Sequence, residues 1–243
     1  MAIFKTIYVG IEMGGEKVKN FAFISDFDGT LTDKDFYKIV MDEYLKDECK
    51  TMYDDWKAKK MKDIEYLGYV FRNIRRKEEE INQDIMKIPL DPFIVQFANY
   101  VKAVGGEFIV VSAGSAYYIE KVFEKHGIEG VKIYSNKGVF KDNGIHFVLD
   151  ETSEFYSPIY GIDKAKVVSK LKEKYDKVFY AGDSEPDLKA AMLADVIFAR
   201  GSLVELLEKE NKEFIEFKNF TEVWICVKRY LEEWNLWRLQ HIE

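Results

Sequence analysis

Three short apolar runs stand out along the chain, and each stops at a polar residue: Phe21–Asp26, Phe108–Ser112 and Val178–Asp183. Runs of this length, rich in aromatic and β-branched residues, predict strands buried on both faces of a parallel sheet. Helical periodicity fills the intervals, from Asp91-Pro92 to about Val104 and then over Ala116–His126, Lys164–Lys174, Pro186–Ala194 and Thr221–Trp237. Strand alternating with helix predicts an α/β fold, a Rossmann-like open parallel sheet with right-handed crossovers.

One interval breaks the alternation. Between Asp33 and Lys87 the apolar residues fall at helical spacing with no strand among them: Phe36, Ile39, Val40 and Tyr44, then Ile64, Leu67, Val70, Phe71 and Ile74. A block this long exceeds a loop. It reads as an inserted helical cap domain over 33–88, with the α/β core formed by 1–32 and 89–243. Residues 1–20 are an N-terminal extension to which the pattern assigns no role. Within the core, Asn143-Gly144 between the apolar flanks of Val139–Val148 predicts a β-hairpin.

Composition narrows the class. Apolar residues make up 47% of the 243, enough for a sizeable core. The net charge of −7 speaks against a nucleic-acid partner, which requires a basic face. It leaves room for a pocket that is positive locally and takes a small anion. No apolar run approaches the ~18 residues of a membrane span, so no membrane partner is expected. The two cysteines, Cys49 and Cys226, form no paired motif. The expectation is a cytoplasmic protein in a reducing compartment. The pattern assigns no oligomeric state.

The candidate chemistry lies where the strands end, because ligands of open α/β sheets bind outside the carboxyl ends of the strands. That rule makes neighbours of Asp26, Ser112 and Asp183. Asp26 and Asp28 are separated by one residue and followed by Gly29, and Asp183 and Asp187 bring two more carboxylates to the same rim. Like charges this close repel by about 4 kcal/mol at ~4 Å and an effective dielectric near 20. A hard divalent cation with oxygen ligands, Mg²⁺, answers that repulsion, with Asp26, Asp28, Asp183 and Asp187 as its expected ligands. Lys164 adds a point positive charge. It is preferred to Lys166 because Val167, Val168 and Leu171 then follow at helical spacing. Ser115 and the Ser184/Asp187 pair also have the spacing of helix caps. His126, His146 and His241 are too scattered for a histidine metal site.

Order and spacing together carry more than each motif alone. Asp26-Phe-Asp28-Gly-Thr30, then Ser112-Ala-Gly114, then Lys164, then Gly182-Asp183-Ser-Glu-Pro-Asp187 resembles the four successive motifs of the haloacid dehalogenase superfamily. The resemblance implies Asp26 as nucleophile and Asp28 as general acid/base. It implies that Gly29, Thr30, Ser112, Ala113, Gly114 and Lys164 hold the transferring phosphoryl group, Ser112 and Lys164 being catalytic, and that Asp183 binds Mg²⁺ with Asp187 supporting it. An acidic residue at position 28 points to phosphoryl transfer rather than dehalogenation, since an alkoxide leaving group needs a proton and a halide does not.

A helical cap after the first motif is similar to that of the phosphoserine phosphatase subgroup. Ile133-Tyr-Ser-Asn136, Asn143-Gly-Ile-His-Phe147, Gly182-Asp-Ser184 and Phe198-Ala-Arg200 resemble the methionine-salvage phosphatases more narrowly. Asp35, nine residues after Asp26, matches an acidic cap position in both groups and is the expected substrate-selecting residue. The chain lacks a cap arginine at the place the phosphoserine enzymes use, and the cysteine-rich segment of some salvage enzymes. The expectation is a Mg²⁺-dependent phosphatase acting on a small phosphorylated metabolite, with phosphoserine as the alternative substrate. A phosphorylatable receiver module also groups acids, Mg²⁺ and a lysine at a sheet edge. It is far shorter, has no helical cap and has no second aspartate poised as an acid.

Overall fold

The computed structural model describes residues 21–241, so the N-terminal extension expected over 1–20 lies outside the described residues. Phe21–Ser25 forms strand β1, buried along its whole length. Its alternation divides the core in two. Phe21 and Phe23 enter a cluster with Phe97, Val122 and Val223, while Ala22 and Ile24 enter a second with Val167, Ala190 and Leu203. Both faces of the sheet are therefore covered, as a parallel sheet requires. The Phe23 ring packs edge-on against Phe97 at 4.7 Å and near Phe108 at 5.9 Å. Truncating a side chain buried this way costs about 3–5 kcal/mol.

After β1 come helices α1 (Phe36–Val40), α2 (Lys50–Lys57), α3 (Asp63–Arg72) and α4 (Glu78–Ile85), with α1 running into a π turn at Met41–Leu45 and a 3₁₀ turn at Lys46–Cys49. Then follow α5 (Ile94–Ala103), β2 (Glu107–Ser115), α6 (Ala116–Lys125), β3 (Lys132–Lys141) and β4 (Gly144–Val148). The short strands β5 (Tyr156–Ser157) and β6 (Gly161–Ile162) precede α7 (Lys164–Lys172) and β7 (Lys177–Gly182). The chain continues through α8 (Leu188–Ala191), β8 (Val196–Ala199), α9 (Ser202–Lys209), β9 (Ile215–Glu216) and α10 (Phe220–His241). No helix of the described residues is long and apolar enough to cross a membrane.

The main sheet has the order β4-β3-β2-β1-β7-β8-β9. All pairs from β3 to β9 are parallel, and β4 joins β3 antiparallel. The fold expected from the pattern is the fold observed, with three more parallel strands than the pattern marks. Strand order runs outward from β1 in both directions, which makes the carboxyl end of β1 the switch point where such sheets bind ligands.

No strand interrupts the four helices between β1 and α5. The chain leaves for them and returns from them side by side: Thr32 and Leu90 form an isolated antiparallel bridge, and Asp33 N donates to Pro89 O at 3.0 Å. The hairpin is present, with its turn one residue earlier than expected. Asp142 and Asn143 occupy its centre with φ of +49° and +59°, a two-residue loop of the left-handed kind that asparagine and aspartate tolerate. Gly144 instead opens β4, where a Cβ would lie 2.5 Å from Arg72 O at the end of α3. Arg76 N donates to Asn143 O at 3.1 Å, and Phe71 packs on Phe147 at 5.8 Å. The hairpin thus serves as a seat for the inserted helices.

Candidate active site

Asp26 is the first residue past β1, tied into the sheet by its N–H donating to Ala181 O at 2.9 Å. The residue is 5% exposed. Oδ1 accepts from Phe27 N at 2.7 Å and lies 2.8 Å from Lys164 Nζ, while Oδ2 takes no part in these bonds. Lys164 opens α7 and reaches the site because the helix starts at the sheet edge, capped by Asp163, which accepts from Lys166 N. Lys166, the rival position, is exposed and donates to Tyr156 O.

Lys164 Nζ also donates to Asp187 Oδ1 at 2.8 Å, and both groups are buried. Burial alone would lower the lysine, but Asp187 and Asp26 more than offset it and hold its pKa above the ordinary value. Asp187 is filled by donors. Oδ1 accepts from Lys164 and from Tyr180 O–H at 2.6 Å, and Oδ2 accepts from the N–H groups of Asp183 and Ser184 at 3.1 Å each. A carboxylate has about four acceptor positions, and all four are used here. These donors give Asp187 a structural role beside the metal role expected of it. It fixes Lys164 and the turn that presents Asp183, through the capping box anticipated from its spacing to Ser184.

Among the described residues, Asp26, Asp183 and Asp187 bring carboxylate oxygens within 4.8 Å of one another. The donor set is hard oxygen with no histidine or cysteine, which suits Mg²⁺ or Ca²⁺ rather than a softer metal. Its electrostatics point the same way. Burial, then Asp187 and Asp183, push Asp26 well above the usual carboxylate range against the pull of Lys164. Burial and Asp187 push Asp183 up to about 7. A dication reverses that logic and restores both carboxylates. Asp26, Asp183 and Asp187 together offer the oxygen ligands such an ion takes.

Asp28, also expected among the ligands, does not join this cluster through its carboxylate. Oδ1 accepts from Phe36 N at 2.9 Å, at the start of α1, and Oδ2 accepts from the Tyr118 hydroxyl on α6. Burial, with Asp35 adding, lifts its pKa to about 6.

The expected phosphoryl-holding residues are split. Ser112 does not end its strand; β2 continues to Ser115, with a register shift against β3 between the two. Ala113 and Gly114 fall in that irregularity, the kind of bulge that re-aims groups beside a site. Ser112 Oγ accepts from Gly114 N at 3.0 Å, which leaves the hydroxyl proton for a ligand. Gly29 and Thr30 make bonds within and between the turns. Gly29 N donates to Thr32 Oγ1 at 3.2 Å, and Thr30 Oγ1 donates to Asp183 Oδ1 at 3.3 Å.

Asp26, Asp28, Ser112, Ala113, Gly114, Lys164 and Asp183 all border one cavity of about 410 Å³. The inserted helices line it with Tyr37, Trp56, Leu67 and Phe71 and with the charged Asp35, Lys38, Lys57, Lys59 and Asp63. Asp35 faces the cavity and pairs with Lys38 at 3.2 Å. Lys59 closes the far rim by an ion pair with Glu185, beside Asp183.

Three residues around this site escape the sequence patterns. Tyr118 and Tyr180 read as core aromatics, and their carboxylate partners lie 90 and 7 residues away. Arg200 donates from Nε to Gly29 O at 2.6 Å and from Nη2 to Thr32 O at 2.7 Å, which holds the turn after β1. Its place in Phe198-Ala-Arg200 is the one signal the sequence offers.

Residues 21–224 match the model of the family described as "Putative Phosphatase". A relative from Exiguobacterium sp. named 2-hydroxy-3-keto-5-methylthiopentenyl-1-phosphate phosphatase is 25% identical over 82% of this chain and 94% of its own length. Among solved structures, a phosphoserine phosphatase carrying a phospho-aspartyl intermediate analogue superposes with a TM-score of 0.61, at 19% identity over 86% of this chain and 98% of the other. A HAD-family hydrolase from Salmonella enterica serovar Typhi superposes with a TM-score of 0.63, at 16% identity over 82% of this chain and 68% of the other. The chain belongs to this "Putative Phosphatase" family.

Proposed function

We propose that the protein hydrolyses a small cytoplasmic phosphomonoester through an aspartyl-phosphate at Asp26, with Mg²⁺ as cofactor. We further propose that the substrate is 2-hydroxy-3-keto-5-methylthiopentenyl-1-phosphate of methionine salvage. The observation that carries the reading is the shared cavity: Asp26 and Asp28 border one space together with Lys164 and Ser112, and the inserted helices line it with both aromatic and charged side chains. Tyr37, Trp56, Leu67 and Phe71 suit an apolar tail. The relatives named for the salvage substrate support that substrate over phosphoserine.

In the first step an Asp26 carboxylate oxygen bonds to phosphorus as the ester P–O bond breaks. The departing oxygen takes the proton of Asp28, whose pKa of about 6 lies closer to neutrality than that of an ordinary carboxyl. In the second step Asp28, now ionised, takes a proton from water as the water oxygen attacks phosphorus. Inorganic phosphate leaves and the Asp26 carboxylate returns. Lys164 and the Ser112 hydroxyl stabilise charge on the equatorial oxygens. Mg²⁺, held by Asp26, Asp183 and Asp187, supplies a Lewis acid that neutralises the substrate dianion. Residues 33–88 act as a cap that excludes water during the first step.

The test is a panel of phosphomonoesters assayed with Mg²⁺, including phosphoserine and the salvage intermediate. The reading predicts many equivalents of inorganic phosphate per chain and the highest kcat/KM on the salvage intermediate. A single equivalent per chain would assign a receiver-type role instead, and a preference for phosphoserine would overturn the substrate.

A further inference from the structure

Asp28 is gripped at both oxygens, and the two grips come from different parts of the fold. Oδ1 takes the Phe36 N–H at the entrance to the inserted helices, and Oδ2 takes the Tyr118 hydroxyl from α6. Tyr118 is 1% exposed, and its ring is set by Phe36 at 4.8 Å, Phe27 at 5.9 Å and Phe71 at 5.9 Å. Its hydroxyl sits over Gly114, where a Cβ would collide with it and lie 2.7 Å from Asp28 Oδ2. The helix start is fixed in turn. Ser115 Oγ accepts from Tyr117 N at 3.3 Å, and Tyr117 O–H donates to Glu78 on α4 at 2.6 Å. The bulge in β2, α6 and the turn after β1 therefore converge on one hydroxyl.

We propose that Tyr118 is a positioning residue for the reaction: its hydroxyl fixes the rotation of the Asp28 carboxyl so that the free acceptor positions of that group face the ester oxygen. Each carboxyl oxygen has two acceptor positions. One on each oxygen is occupied by these donors, which leaves one on each, and one of these two carries the transferred proton. The Phe36 donor alone leaves the carboxyl free to turn about its Cβ–Cγ bond. A phenylalanine at 118 keeps the ring packing and removes only the second grip. The proposal rests on Asp28 acting as the proton donor.

The experiment measures alcohol release in the first turnover, with Mg²⁺ present, from β-glycerophosphate and from p-nitrophenyl phosphate, whose leaving group departs without a proton. Wild type, Tyr118→Phe, Asp28→Asn and the double variant are compared. Tyr118→Phe is expected to slow β-glycerophosphate by about 10-fold or more, as for loss of one hydrogen bond to a charged group, and p-nitrophenyl phosphate by less than about 3-fold. Tyr118→Phe is expected to add nothing on the Asp28→Asn background. Equal losses on both substrates, no loss on either, or full additivity with Asp28→Asn would overturn the proposal. Should Asp28→Asn itself slow both substrates equally, the assignment of Asp28 as acid falls and takes this inference with it.

Discussion

Gly29 and Asp183 meet so closely that a Cβ on the glycine would lie 2.5 Å from Asp183 Oδ2. The turn after β1 and the turn after β7 are thereby locked in register, and Asp183 is pressed toward Asp26. Thr30 reinforces the contact by donating to the other Asp183 oxygen, and Arg200 holds the Gly29 carbonyl from behind. A glycine is required twice over, by this contact and by its φ of +77°.

Gly29→Ala is expected to displace Asp183 and so to weaken the cation site before it unfolds the chain. The strained backbone alone costs about 1–3 kcal/mol. A Mg²⁺ titration of phosphatase activity checks this: the half-saturating concentration rises by about 10-fold or more, the scale of one displaced charged contact. An unchanged Mg²⁺ requirement would mean that Asp183 does not hold the ion.

Asp187→Asn removes the charge that balances Lys164 in a buried pair and puts an amide where four donors point. Breaking a buried pair costs about 3–5 kcal/mol. For a chain of this size the melting temperature should fall by about 10 °C or more. A thermal melt in excess Mg²⁺ measures it. A shift of only a degree or two would show that the network around Asp187 contributes little to the fold.

The raised carboxyls predict a pH-dependent stability of the metal-free protein. Asp28 stands at about 6 and Asp183 at about 7, both above the unfolded value of 3.8, and Asp26 is raised as well. The folded state therefore binds more protons than the unfolded state between these values, so stability falls as pH rises through that window. Melting temperatures in a chelator should decline from about pH 4 to about pH 7 for this reason. Added Mg²⁺ should stabilise more at pH 7 than at pH 5. A Mg²⁺ effect that is constant across the window would contradict the cation site.

Asp35 borders the cavity at the N-cap of α1, next to the Phe36 N–H that Asp28 accepts from. Asp35→Ala should lower kcat/KM for the native phosphomonoester by about 10-fold or more, the scale of a hydrogen bond to a charged group. A small aryl phosphate, with few contacts to the inserted helices, should lose much less. Binding energy from such remote contacts supports orientation, so kcat is expected to drop along with the rise in KM. Equal loss on both substrates would place Asp35 in the chemistry instead.

The sheet edge was legible because its central strands are apolar and unmistakable, and because Asp26 and Asp183 stop them abruptly. The outer strands were not. Val196–Ala199 and Ile215–Glu216 are too short to register as runs, and Lys132–Asn136 alternates with polar residues near the sheet's margin. Lys164 was separable from Lys166 because its helix must turn Val167, Val168 and Leu171 inward, and all three are buried. Spacing cannot say what each carboxylate meets, so the four donors around Asp187 and the two on Asp28 became visible only in the fold. Tyr118 could not be told from a core phenylalanine, since its hydroxyl acquires meaning only when α6 folds onto the turn after β1.

The central claim is that Asp26 carries the phosphoryl group, and direct identification of the phosphorylated residue tests it. A first turnover with radiolabelled phosphomonoester and Mg²⁺ is stopped in acid, and the trapped acyl phosphate is reduced with borohydride. The account predicts label on the chain within that turnover, homoserine at position 26 in the peptide map, and neither in Asp26→Asn. Label on another residue, or turnover with none on the chain at any time, would contradict it.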